Sequence, residues 1–284
     1  MTTSLATVIF LPLLAQAADK RNVVGWVTQC NGAWEDHTTA GHPVKIVCAG
    51  ARDELWFPLV RDSKVILTSP KPKQWINIRI ARSGEKRHFD CDKPGACVPP
   101  PLPFAQYVSN EETGSALQAF FESPGKAYAR VRLLLSKSES DESGRVTTDH
   151  AVIADDAPIK LRDLLRSTAP SGDYLLELCP FDEKNGCPVG GKPIAIKWAP
   201  SSSATWPHLL RSGLYEIVLS KVVNGVTIRT PDRGFLLIVP ERNAAQARET
   251  VRAGEQMFLR NWHDPSEGRL MFEALMVDLA SRKQ

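Results

Sequence analysis

The residues with the widest chemical options are six cysteines: Cys30, Cys48, Cys91, Cys97, Cys179 and Cys187. A thiol can ligate a metal, attack a substrate or pair as a disulfide. Cys91 and Cys97 close a short loop around Pro94-Gly95, and Cys179 and Cys187 bracket Asn185-Gly186. Cysteines flanking a tight turn face each other across a hairpin, within disulfide reach. Cys30 and Cys48 are then left to pair across neighbouring strands. The Cys91–Cys97 spacing is not that of a CxxC knuckle, and no second knuckle or paired histidine follows it. An even cysteine count also argues against a free nucleophilic thiol. The spacing therefore predicts three crosslinks and no metal.

Other catalytic patterns are incomplete. Neither a Gly-x-Ser-x-Gly elbow nor an HExxH pair occurs. Gly186 to Lys192 satisfies Gly-x4-Gly-Lys, but Pro193 stands where a phosphate loop needs Ser or Thr for magnesium. His37 and His42 with Glu35 could hold a transition metal, although histidines in turns commonly only solvate them. Asp155-Asp156 and Asp182-Glu183 are paired acids. A glycosidase needs two carboxylates about 5–10 Å apart across a cleft, and adjacent acids in a turn point apart. No cofactor is expected. The aromatic residues are the remaining signal. Trp26, Trp34, Trp56 and Trp75 crowd the first hundred residues, and a tryptophan face can stack on a sugar ring or hold a cation. Trp34, Trp56 and Trp75 are the candidate binding residues, with Trp34, beside Gly32, expected to be exposed.

The compartment governs how the cysteines are read. Leu5 to Ala15 is an apolar run too short to span a bilayer. Ala15-Gln16-Ala17 follows as a small-x-small cleavage site. Residues 1–17 therefore read as a signal peptide, although Met1 to Ser4 lacks the usual basic residue. A periplasmic or secreted location follows, and disulfides persist there. No later stretch has about 20 uninterrupted apolar residues, so no transmembrane segment is expected after cleavage. The net charge is +3 and the basic residues are interleaved with acids, which gives no case for nucleic acid.

Residues 22–97 read as a small all-β barrel or sandwich. Val23 to Cys30 is β-branched and alternating, and Trp75 to Ile80 alternates apolar with polar, as a strand with one buried face must. Four prolines between Pro99 and Pro103 make 98–104 a stiff linker. A helical hairpin is expected over 105–136, with Leu117, Phe120 and Phe121 on one face and Ser123-Pro124 opening its second helix. Residues 146–240 return to strands, are expected to form one Ig-like β-sandwich rather than two tandem β-units, and hold an internal echo. Ser171-Gly172-Asp173-Tyr174 and Ser212-Gly213-Leu214-Tyr215 each lead into an alternating strand and then a hairpin. A tyrosine entering a strand after a corner resembles the tyrosine corner of Ig-like sandwiches, so Tyr174 and Tyr215 are assigned structural roles. Residues 241–284 are helical, broken at Asn261 to Pro265, where Asp264 caps a new helix.

Two resemblances accompany these readings. The run VGxVTxxxGxW ending at Trp34 resembles the start of FecR-like envelope β-domains. The whole layout resembles a loosely defined group of uncharacterised exported bacterial proteins. It is carried by Cys91 and Cys97, Tyr174, Gly213-Leu214-Tyr215, and Trp262 with Phe272-x-Ala274-Leu275. That resemblance implies an architecture and no activity. The expectation is a mainly β chain with added helices (α+β): a non-enzymatic binding or scaffolding protein of the bacterial cell envelope. Its partner would be an envelope protein or polymer. The alternative is an envelope hydrolase with loop-borne carboxylates.

Overall fold

The computed structural model describes residues 23–37, 41–48, 54–60, 62–69, 73–91, 110–135, 150–155, 157–164, 171–181, 194–199, 205–206 and 210–282. The expected signal peptide, the Pro-rich linker, the Gly186 to Lys192 motif, Asp156, Asp182, Glu183, His208, Cys97 and Cys187 lie outside the described residues. The fold is mainly β with added helices, as the alternating and 3.6-residue periodicities predict.

The first unit packs two sheets face to face. One has the order β4 (Phe57–Val60), β1 (Val23–Asn31), β6 (Gln74–Ile80), β7 (Lys86–Cys91), all antiparallel. The other is β3 (Val44–Ile46), β2 (Trp34–His37), β5 (Lys64–Leu67). Val24, Val27, Cys30, Ile76 and Ile78 from the first sheet meet Trp34, Ile46 and Val65 from the second. Cys30 and Cys48 form a disulfide that ties β1 to the segment after β3, with Cα atoms 5.1 Å apart. Cys91 and Cys179 are also disulfide-bonded.

The second sheet unit has the order β10 (Ile194–Trp198), β9 (Gly172–Pro180), β11 (Gly213–Val223), β12 (Val226–Val239), β8 (His150–Ala154). The two echoed strands, β9 and β11, lie side by side and antiparallel, with Lys221 opposite Tyr174. β10 and β12 return as hairpin partners on either side. β8 pairs with β12 in parallel. Asn224 and Gly225 both have positive φ and join β11 to β12 in a tight turn. Along β12, Phe235, Leu237 and Val239 point to one core while Leu236 and Ile238 point to the other. The second core is closed by Ile159, by Leu161 and Leu164 of the one-turn helix α3 (Leu161–Leu164), and by Trp206 and Leu210.

Between the two β units lies a helical layer. It comprises α1 (Asn110–Glu122), α2 (Gly125–Leu135), α4 (Glu241–Gly254) and α5 (Pro265–Ser281). α5 packs on α2, β11 and β12, and α4 packs on α1 and β8. One core joins Val23, Trp26, Trp56 and Ala81 of the first unit, Leu117, Phe120 and Phe121 of α1, Leu237 of the second sheet, and Phe258, Phe272 and Leu275 of the C-terminal helices. Asp264 caps α5 by accepting from the Ser266 and Glu267 amides, and Pro265 takes the first turn. The periodicity predicts one helix from Asn243 to Arg260. It is α-helical only to Gly254 and continues as a π-helical turn from Glu255 to Arg260. That turn places Phe258 against Phe120, Phe121 and Trp262.

Candidate ligand-binding face

The outer face of the four-stranded sheet carries three cross-strand rungs. Strand alternation puts Trp75, Asn77 and Arg79 of β6 on the same side. Their antiparallel partners on β7 are Asp90, His88 and Lys86. Their partners on β1 are Asn31, Gln29 and Trp26. A register shift between Val27 and Gln29 keeps the β1 members on this face.

The helical layer covers only one rung. Trp26, wholly buried, donates its indole N–H to the Phe121 carbonyl at 2.8 Å and stacks edgewise on Trp56. Arg79 is also wholly buried, and its guanidinium lies 5.3 Å from the centroid of the Trp56 ring. Glu267, in the first turn of α5, takes two hydrogen bonds from Arg79, one of them at 3.1 Å, and a third from Lys86 at 2.5 Å. Glu54 approaches Arg79 at 3.9 Å. Burial alone would raise the Glu267 carboxyl, but the hydrogen bonds and charges of Arg79 and Lys86 outweigh it and hold it below the ordinary carboxylate value.

The other two rungs face outward. Asn77 donates to Gln29 Oε1 at 3.2 Å and its own Oδ1 lies 2.6 Å from His88 Nδ1. His88 Nε2 lies 2.9 Å from Asp90 Oδ1. The His88 ring lies 5.8 Å from that of Trp75, inclined by 36°. Asn31 donates to the Lys73 carbonyl at 3.1 Å. Half or more of the His88 and Asp90 side chains is open to solvent, at 53% and 64%, and Trp75 is half-buried. The result is a flat strip of amides, one imidazole–carboxylate pair and one indole.

The three candidate tryptophans divide on exposure. Trp34, expected to be exposed in a loop, is wholly buried at the start of β2, where it fills the core between the two sheets. Its indole N–H bonds the Asn31 carbonyl. Trp56 is buried too, between Trp26, Tyr128 and Arg79. Its backbone takes a left-handed conformation (φ 50°), and β4 starts at Phe57, two residues into the apolar run Leu55 to Val60. Only Trp75 keeps a surface that a ligand could reach.

The remaining sequence candidates fall as follows. The Tyr215 hydroxyl donates to the Arg211 carbonyl four residues upstream, at 3.0 Å, and both Tyr174 and Tyr215 are buried in the second core. Burial raises both phenols. Glu35 and His37 pair at 3.1 Å on β2 rather than in a loop, and no group of three metal-ligating side chains occurs among the described residues. Asp36, between them, is buried and accepts from the Ser63 hydroxyl at 2.8 Å; its burial raises its carboxyl. No family model, curated protein or solved structure matches this chain. Gln29, Asn77, His88 and Asp90 were not candidates from sequence. The alternation of β6 places Asn77 beside Trp75, but nothing in the polar run Lys86 to Asp90 marks it as the partner strand.

Proposed function

We propose that this chain is an exported, non-enzymatic binding or scaffolding protein of the bacterial cell envelope, acting in the periplasm or outside the cell. The ligand is held on the outer face of the first sheet. The observation that carries this reading is the division of that face. One rung is sealed under helices, and two rungs display Trp75, Asn77, Gln29, His88 and Asp90 to solvent. Oxidised Cys30, Cys48, Cys91 and Cys179 support an oxidising compartment. No described helix is long and apolar enough to cross a membrane.

The acid–base pair on this face favours binding over hydrolysis. A general base needs a ring nitrogen within hydrogen-bond reach of a substrate proton. Both nitrogens of His88 are already held, one by Asn77 and the other by Asp90. Cross-linking pull-down of the protein, with residues 1–17 removed, from envelope extract tests the proposal. A specific envelope protein or polymer should be recovered, and its recovery should fall when Trp75 is replaced. Recovery of nothing specific would remove the reading.

A further inference from the structure

We propose that the ligand of this face is a neutral saccharide, stacked on Trp75 and hydrogen-bonded by the amide and carboxylate groups around it. The proposal rests on the binding role given above and names its ligand class. Three observations select this chemistry.

The first is the indole. Trp75 is half-buried and braced by the His88 ring at 5.8 Å, so it forms a fixed apolar platform beside a wet polar surface. Such a platform suits a ligand with one apolar face and polar edges. A sugar ring has C–H groups on its faces and hydroxyls around its rim. A purely apolar partner would instead want several rings together, and among the described residues the neighbouring Trp26 and Trp56 are sealed in the core.

The second is the mixture of donors and acceptors. Gln29 accepts from Asn77 through its carbonyl, and its amide nitrogen bonds no described residue. Asn31, an exposed residue, uses its side-chain amide nitrogen on the Lys73 carbonyl. Asp90 brings a carboxylate to the same rung as Trp75. A hydroxyl both donates and accepts, so a row of hydroxyls can use all three groups. Because the side chains brace one another, little rotamer freedom is lost when the ligand docks.

The third is charge. On the exposed rungs the imidazole and the carboxylate face each other at 2.9 Å. On the covered rung, Lys86 and Arg79 are both committed to Glu267. A polyanion needs clustered uncommitted cations and a cationic ligand needs uncommitted acids. Neither Lys nor Arg stands on the two exposed rungs, which suits a neutral ligand over a polyanion. The strip spans two rungs, so it takes part of a chain rather than one enclosed ring.

Isothermal titration of the full chain with chitohexaose, cellohexaose and maltohexaose tests the assignment, with heparin as the anionic comparison. At least one neutral hexasaccharide should bind, and heparin should not bind more tightly. Trp75→Ala should weaken that binding by about tenfold or more. Trp75→Phe, which keeps a ring, should retain most of it, and Asn77→Leu should weaken it without moving the melting temperature of the sealed core. If no neutral hexasaccharide binds, or if binding is indifferent to Trp75→Ala and Asn77→Leu, the assignment is wrong. Specific recovery of an envelope protein through Trp75 together with no saccharide binding would overturn the saccharide and leave the binding role standing.

Discussion

The Arg79 guanidinium on β6 is gripped in two places by the Glu267 carboxylate at the start of α5, across a sequence separation of 188 residues. The pair joins the first β unit to the C-terminal helix, with Arg79 wholly buried and Glu267 at its partly exposed rim. Removing Glu267 leaves the buried guanidinium facing Glu54 at 3.9 Å, and a poorly compensated buried charge costs about 3–5 kcal/mol. Glu267→Leu should therefore lower unfolding free energy by about that amount in urea titration, and Arg79→Met, which leaves Glu267 paired with Lys86, by less. Arg79→Met combined with Glu267→Leu should cost less than the sum of the two single changes. An additive result would show that the pair is not coupled.

Glu267 and Asp36 should respond to pH in opposite directions. The Glu267 carboxyl is held below its ordinary value in the folded protein. Its contribution is complete above the unfolded carboxylate value of about 4.3 and is lost as pH falls through the lower folded value. Glu267→Gln should destabilise the protein at pH 7 and flatten the acid limb of its melting profile. Asp36 is raised by burial, so its ionised form costs stability above the folded value, and that cost vanishes as pH falls. Asp36→Asn removes that titration, so the stability of the variant relative to the parent should rise as pH increases from about 4 towards 7. Melting temperatures measured between pH 3 and 8 separate the two.

Two glycines with similar backbone should differ in what they tolerate. Gly84 (φ +70°) lies in the β6–β7 turn, and a Cβ there would come within 2.1 Å of the Trp262 ring. The same contact is fixed by a hydrogen bond from the His263 amide to the Ser83 carbonyl. Gly225 (φ +77°) ends the β11–β12 turn, with nothing within 4 Å of a built Cβ. Gly225→Ala should cost only the left-handed strain, about 1 kcal/mol. Gly84→Ala adds a clash and should cost at least about 2 kcal/mol more, read by thermal denaturation.

The Cys30–Cys48 bridge closes a loop with a sequence separation of 18. Crosslinks of that span stabilise by about 3 kcal/mol, chiefly by restricting the unfolded chain. Cys30→Ala with Cys48→Ala should lower stability by roughly that amount. The loss should appear first as increased proteolysis in the three-stranded sheet, where β2 and β3 are held.

Legibility in the sequence followed how local each determinant is. The alternation from Trp75 to Ile80 announces a one-sided strand, and Asp264-Pro265 announces a helix start; both are local and both hold. The Gly-x-Tyr echo places two similar strands, and they prove to be neighbours. Strand β7 was not foreseen, because Lys86 to Asp90 carries a single apolar residue, Phe89. Without β7 the exposed strip has no second column, so His88 and Asp90 could not be brought to Trp75. The burial of Trp34 was missed for a related reason. Gly32 reads as a loop, while the strand it leads into is short and is buried only by the opposing sheet. The Arg79–Glu267 pair depends wholly on tertiary docking.

That docking also sets a schedule for the growing chain. By the time β1, β6 and β7 have been made, Arg79 has its aromatic neighbour Trp56 and the acid Glu54 within the same unit. The rest of its shelter comes much later in synthesis. Phe121 must arrive to receive the Trp26 indole, and Glu267 must arrive to take the guanidinium. Until then the first unit carries an arginine on an unfinished aromatic surface. A chain stopped before α5 would leave Arg79 without Glu267 and the aromatic core around Trp26 and Phe121 without Phe272 and Leu275.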